Sequence, residues 1–242
     1  MKKGEYKATY DHEPSYWWYQ ARADIVTEVF ARNFQPGLEM LNIGCGTGLL
    51  SERFSQFGLV TSIDFSREAL GFCAQKRMDF SAQADGASLP FQDSSFDICL
   101  AFDVLEHIRN DRQAVSEIRR VLKPGGSALI TVPAFQWLWS RWDITEHFRR
   151  YTRGQVKSIL GEHGFEIAIL TYFNFFLSPI AIVQRMNERY FSRETDPEKF
   201  LPAIPVTVNQ IFYKVFSSEK NLIGRVNFPF GISVLALARK KG

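Results

Sequence analysis

The sequence predicts an α/β protein built on a doubly wound sheet with helices on both faces. Three observations carry this. Short apolar runs bounded by turn residues alternate with amphipathic, helix-length segments over residues 37–170. The run Met40–Ile43 enters Gly44-Cys45-Gly46-Thr47-Gly48, a strand, a glycine turn and a helix start. Asp64 closes a second apolar run, 16 residues past Gly48. An acid at that distance from a glycine turn is what such sheets use to hold a ribose diol. A dinucleotide fingerprint wants a third glycine five residues after the first, and that position is Leu49. The pattern is instead Gly44-x-Gly46-x-Gly48, which fits a pyrophosphate cradle poorly.

The elements follow in order. Pro14-Ser15 opens a helix through Phe34, with Trp18, Ile25 and Val29 on one face. Strand one is Met40–Ile43. The helix from Gly48 to Phe57 stops at Gly58, read as its C-cap. Strand two is Val60–Ile63, and Ser66 is placed to N-cap a helix over Arg67–Lys76. A short strand near Phe80–Ala84 precedes a loop containing Pro90. Asp97–Phe102 is a near-continuous apolar run, as in a buried parallel strand. Asp111 caps a helix whose stripe is Ala114, Val115, Ile118 and Leu122, ended by Lys-Pro-Gly-Gly at 123–126. Ser127–Val132 is strand five. Thr152 caps a helix ending at Gly164, Phe165–Tyr172 is strand six, and Ile232–Ala238 is strand seven.

The chain of 242 residues, 45% hydrophobic, suits one large domain with an elaborated cap. Its net charge of +3 is too mild to predict nucleic-acid binding. Cys45, Cys73 and Cys99 have neither paired nor metal-ligand spacing and read as reduced thiols of a cytoplasmic protein. Met1–Tyr6 has no apolar stretch behind it, so no secretory signal is expected. Phe165–Val183 carries a single charge, Glu166, but Asn174 and Pro179 break it. It reads as a strand followed by a cap helix, since a spanning helix needs about 20 unbroken apolar residues.

Five blocks in order carry a family resemblance: Leu41–Gly48, Thr61–Ser66, Ala84–Phe91, Phe96–Ile108 and Leu122–Pro133. With them the chain resembles the class I S-adenosylmethionine-dependent methyltransferases over roughly residues 37–170 and a last strand near 231–239. The resemblance implies a Rossmann-like, seven-stranded, mostly parallel sheet whose last strand runs antiparallel. It gives a single domain over 1–242: an N-terminal helical lid (1–36), a core (37–172 plus 231–242) and a helical cap insertion (173–230).

The resemblance also implies site residues. Gly44, Gly46 and Gly48 approach the methionine part of S-adenosyl-L-methionine, Asp64 takes the ribose hydroxyls, and Phe65 lies beside the adenine. Asp85 accepts from the adenine amino group, with Gly86 nearby. Asn42 stands where the family commonly has an acid, so it brings no charge to the donor's ammonium. Asp103, Glu106 and His107 follow strand four, at whose carboxyl end ligands sit. Asp103 is counted with the donor site, and His107 is the catalytic candidate, a general base for a hydroxyl acceptor. Asp103-x-x-Glu106-His107 with His147 resembles the Glu-x-x-Glu-His…His metal site of a minority of these enzymes. Leu-Glu-His-Ile also runs through metal-free relatives, so no metal is assigned.

Trp137–Tyr151 is the least ordinary stretch. Arg149, Arg150 and Tyr151, with Trp18 from the first helix, are read as acceptor-binding residues. The alternative is a salt-bridge cluster with Asp143 and Glu146 among Trp137, Trp139 and Trp142. Phe173–Val183 and Ile211–Phe216 are apolar runs expected to roof the acceptor pocket with Arg149 or Arg150 at its rim. Peripheral membrane contact is another way to bury such faces. The whole reads as a methyltransferase for a small or lipid-like acceptor, at O or N rather than C, without nucleic acid. The competing readings are a protein methyltransferase and a non-catalytic donor-binding module.

Overall fold

The computed structural model describes residues 5–76, 80–139, 143, 147–190 and 204–241. Trp142 and Glu146 lie outside them. Seven strands form one sheet: β1 (Leu38–Ile43), β2 (Gly58–Asp64), β3 (Phe80–Gln83), β4 (Phe96–Phe102), β5 (Leu122–Pro133), β6 (Phe165–Phe173) and β7 (Ser233–Lys240). Their order is β3-β2-β1-β4-β5-β7-β6. β3 to β5 pair in parallel, and β7 runs antiparallel to both β5 and β6. The winding direction reverses between β1 and β4, which opens a crevice at their carboxyl ends. These central strands are buried on both faces, so Met40, Leu41, Ile98, Cys99, Leu100 and Ala128–Ile130 read as unbroken apolar runs.

The helices are α1 (Glu5–His12), α2 (Trp17–Asn33), α3 (Leu49–Phe54), α4 (Arg67–Gln75), α5 (Asp111–Val121), α6 (Arg153–Glu162), α7 (Ser178–Tyr190) and α8 (Val206–Ser218). Ser66 caps α4 by accepting from Ala69 N–H, and Thr152 caps α6 in a reciprocal box with Gln155. Several boundaries differ from expectation. The N-terminal segment forms two helices, and α2 starts at Trp17 rather than at Pro14-Ser15. Gly58 caps the 3₁₀ turn Ser55–Phe57 that continues α3, as expected, donating its N–H to the Ser55 carbonyl oxygen, and it also opens β2; a Cβ there would lie 2.2 Å from the Leu38 carbonyl oxygen. Asn110, not Asp111, caps α5 by accepting from Gln113 N–H, because the Asp111 carboxylate accepts from the Tyr151 hydroxyl at 2.8 Å. Pairing of β5 begins at Leu122, five residues before its expected start.

The segment after β6 packs on the N-terminal helix. Trp17 meets Phe212 and Phe216 of α8 edge to face at 5.4 and 5.9 Å. The Tyr213 hydroxyl donates to Asp24 at 2.6 Å, and Asn209 accepts from Trp17 N–H at 2.9 Å. α7 presents Ile180, Val183 and Met186 to solvent. Among the described residues, no helix is long and apolar enough to cross a membrane.

Candidate active site

A cleft of about 840 Å³ opens at the winding reversal. Its floor is the glycine turn after β1. Gly44 has φ +68°, and a Cβ there would lie 2.4 Å from Val104 Cγ2, so only glycine lets the turn pass under β4. Gly46 donates its N–H to Asp64 at 2.8 Å, and Ser66 N–H donates to the other carboxylate oxygen at 2.8 Å. The carboxylate at the end of β2 therefore clamps the turn from one side and faces the cleft from the other. Burial pushes the Asp64 carboxyl above its ordinary value, while the Ser66 and Gly46 amides pull it back.

Asp64, Phe65, Asp85, Gly86, Asp103 and His107 line the cleft together with Gly44 and Gly46. Phe65 is 76% exposed, a ring held out without packing of its own. Asp85 is exposed at the mouth and accepts from Ala87 N–H at 2.8 Å. Gly48 does not line the cleft; it starts α3. Asn42 does not either. It is buried and donates to Ser51 Oγ at 2.7 Å, which also accepts from Ser62 Oγ at 2.8 Å. The amide thus ties β1 to α3 and β2, and the missing acid leaves no gap in the cleft.

Asp103 caps β4 with φ +53°, its N–H donating to the Thr131 carbonyl oxygen at 2.9 Å. Its carboxylate is paired with Arg22 and accepts from Thr131 Oγ1 at 3.2 Å. Arg22 stacks on Trp18, 4.4 Å from the ring centre. Trp18 itself does not line the cleft, so its role is to orient Arg22.

The acceptor-binding reading of the arginine pair is corrected. Arg150 is buried and forks onto Asp143, Nε at 2.8 Å and Nη2 at 3.0 Å, with Nη1 on the Ala134 carbonyl oxygen. Arg149 pairs with Asp111 at 2.8 Å and donates to the Ile108 and Arg109 carbonyl oxygens. Tyr151 is buried, its hydroxyl on Asp111. None of the three lines the cleft, because the protein's own acids and carbonyls already use them. The expected roof is corrected too: no described residue of 173–230 lines the cleft, since α8 buries its apolar face on α2.

Three cleft features escaped the sequence reading. Tyr6 of α1 lines the wall, as do Phe148 and Arg109, whose guanidinium lies 5.1 Å from the Phe148 ring centre. Phe148 lies within the aromatic stretch that the sequence does flag; Tyr6 carries no such signal. Glu13 is buried between α1 and α2. It accepts from Thr47 Oγ1 of the glycine turn at 2.5 Å and from Lys76 Nζ at 2.6 Å.

Beside the cleft, Glu106, His107 and His147 bring one ligand-type atom each within 4.8 Å of one another. Burial, and next the neighbouring Asp103, hold the Glu106 carboxyl well above its ordinary value.

Strand order, glycine turn and acid-lined cleft define the class: a Rossmann-like sheet of the methyltransferase type, with its ligand crevice at the switch point. Residues 41–130 match the family model of the methyltransferase domain. Those 90 of the 242 residues are similar to the methyltransferase domain family. A demethylmenaquinone methyltransferase of Renibacterium salmoninarum is 36% identical over 97 residues, covering 39% of this chain and 41% of that protein. A ubiquinone biosynthesis O-methyltransferase of an Azoarcus species is 35% identical over 105 residues, covering 39% and 44%. The chain spans only 38% of one curated relative and 52% of another. A phosphoethanolamine N-methyltransferase 2 of Haemonchus contortus, solved with S-adenosyl-L-methionine, superposes with a TM-score of 0.62 at 23% identity. That match covers 93% of this chain and 53% of that one, and shows the shared fold.

Proposed function

We propose that this chain transfers the methyl group of S-adenosyl-L-methionine to an oxygen or nitrogen of a small, lipid-like acceptor. The observation that carries the reading is the cleft itself, which brings Gly44, Gly46, Asp64, Phe65, Asp85, Gly86 and His107 to one lining. Asp64 takes the ribose diol, Phe65 covers the adenine face, and Asp85 meets the adenine amino group. Asp103, fixed by Arg22, sits where the donor's charged end lies. The sulfonium methyl is already activated, so the chain's work is to align the acceptor and exclude water. His107 takes the acceptor's proton as general base.

The N-terminal helices α1 and α2 cover the cleft as a fixed wall, since Tyr6 lines it and Glu13 grips the glycine turn. The quinone methyltransferases among the relatives favour a ring-bearing, lipid-like acceptor, and the exposed apolar face of α7 gives such a protein a way to rest on a membrane surface. Calorimetric titration with S-adenosylhomocysteine tests the reading. Binding at one site per chain supports it, and no binding to folded protein refutes it.

A further inference from the structure

The cluster beyond His107 has the chemistry of a metal site. Glu106 is 1% exposed, and among the described residues neither carboxylate oxygen has a hydrogen-bond partner. A buried, unpartnered carboxylate is among the costliest groups a fold can hold, and such exceptions call for a binding role. It faces two imidazoles, those of His107 and His147, which meet edge to face with ring centres 4.5 Å apart. We propose that Glu106, His107 and His147 hold a first-row divalent transition-metal ion at the end of the cleft.

The surroundings are built for it. His147 Nδ1 lies 2.5 Å from Asp143 Oδ1, which leaves Nε2 to ligate. Asp143 is fully buried and fixed by the fork of Arg150. An outer carboxylate that orients a ligating imidazole is the usual second layer of such sites, and it gives the buried Arg150–Asp143 pair a purpose. Phe148 N–H donates to the Glu106 carbonyl oxygen at 2.8 Å, which holds the two halves of the site together. Asp103 is committed to Arg22 and Thr131, so the protein supplies three ligands rather than four.

Ligand atoms around one ion sit about 3–4 Å apart, so small side-chain rotations close the present spacing. Two imidazoles and one carboxylate suit zinc, manganese, iron or cobalt and disfavour magnesium. Because His107 lines the cleft, the open positions face the acceptor. With an ion bound, His107 would be a ligand instead of the base, and on the proposed methyl transfer an acceptor hydroxyl bound there would lose its proton to solvent. Its oxygen then takes the methyl, and the sulfonium becomes a neutral thioether. That catalytic role rests on the proposed function; the site does not.

The test strips the full chain with EDTA, then titrates Zn²⁺, Mn²⁺ and Mg²⁺ by calorimetry, with bound metal counted by mass spectrometry after gel filtration. About one Zn²⁺ or Mn²⁺ per chain is expected, with Mg²⁺ at least ~10-fold weaker. His147→Gln and Glu106→Gln should each weaken binding at least ~10-fold, and Co²⁺ should give a ligand-field spectrum that both variants lose. Glu106→Gln keeps the size of a buried carboxyl and should melt close to the metal-free wild type, which keeps the comparison among folded proteins. Less than ~0.1 equivalent retained, or unchanged affinity in both variants, overturns the site. S-adenosylhomocysteine titrated into the EDTA-treated protein separates the two claims: donor binding without metal binding sinks only the metal, and the reverse sinks only the donor reading.

Discussion

Asp64→Asn is the sharpest probe of the cleft, because the substitution keeps shape and removes charge. The carboxylate accepts from Gly46 and Ser66 N–H at 2.8 Å each, and its remaining lone pairs face the cleft. The amide offers one oxygen where two are needed, and its NH₂ meets either a backbone N–H or the ribose. One charge-assisted hydrogen bond to the ligand is lost, worth about 1.5–3 kcal/mol. At 1.4 kcal/mol per decade, S-adenosylhomocysteine should bind roughly 10- to 150-fold more weakly. Calorimetry at pH 7.5 reads this, with thermal melting to confirm that the glycine turn still folds. Asp85→Ala, at the exposed mouth, should cost only about 1 kcal/mol. An Asp64→Asn protein that binds within twofold of wild type would refute the ribose assignment.

His107→Gln should lower turnover by ~10²- to 10⁴-fold and leave S-adenosylhomocysteine affinity within about threefold; full activity across pH 6–9 would remove His107 from the reaction. Glu219 accepts from Phe175 and Phe176 N–H, and burial raises its carboxyl from 4.5 to about 7. The folded state therefore holds its proton more tightly than the unfolded state. Stability is full below about pH 4.5 and falls as pH rises through about 7, by at most ~3 kcal/mol. Glu219→Gln keeps the acceptor oxygen, so its melting temperature should exceed wild type at pH 8 and match it at pH 4.5; equal melting at both would refute the burial argument. Ile180→Asp with Val183→Asp should reduce co-sedimentation with anionic vesicles ~30-fold, about 2 kcal/mol for two half-exposed side chains. No vesicle binding by the wild type would end the membrane reading.

The sheet was legible because each central strand is buried on both faces, which writes a continuous apolar run between glycine or proline turns. The glycine turn and the acid that clamps it were legible because the backbone geometry demands glycine at 44 and an acceptor at 64. Helix starts were less so: Asn110 and Asp111 are both good caps, and the distant Tyr151 and Arg149, which occupy Asp111, decide between them. Arg149 and Arg150 failed for a related reason. Two arginines among aromatics look alike whether they await a ligand or serve Asp111 and Asp143, and the partners lie on other turns of the chain. The apolar runs after β6 announced that they would be buried, but not that Trp17 would meet them first.

The Glu13 contact bears on how molecules come and go. Its carboxylate is shared by Thr47 and Lys76, so swinging the N-terminal segment outward would break a buried ion pair and a hydrogen bond at once, a barrier of several kcal/mol. That wall behaves as a fixed hinge-plate rather than a door. Traffic is then left to the rim that carries Phe65 and Phe148, 76% and 48% exposed, with Arg109 against the Phe148 ring. Spent donor leaving by that narrow rim would set the pace of the cycle before the chemistry does.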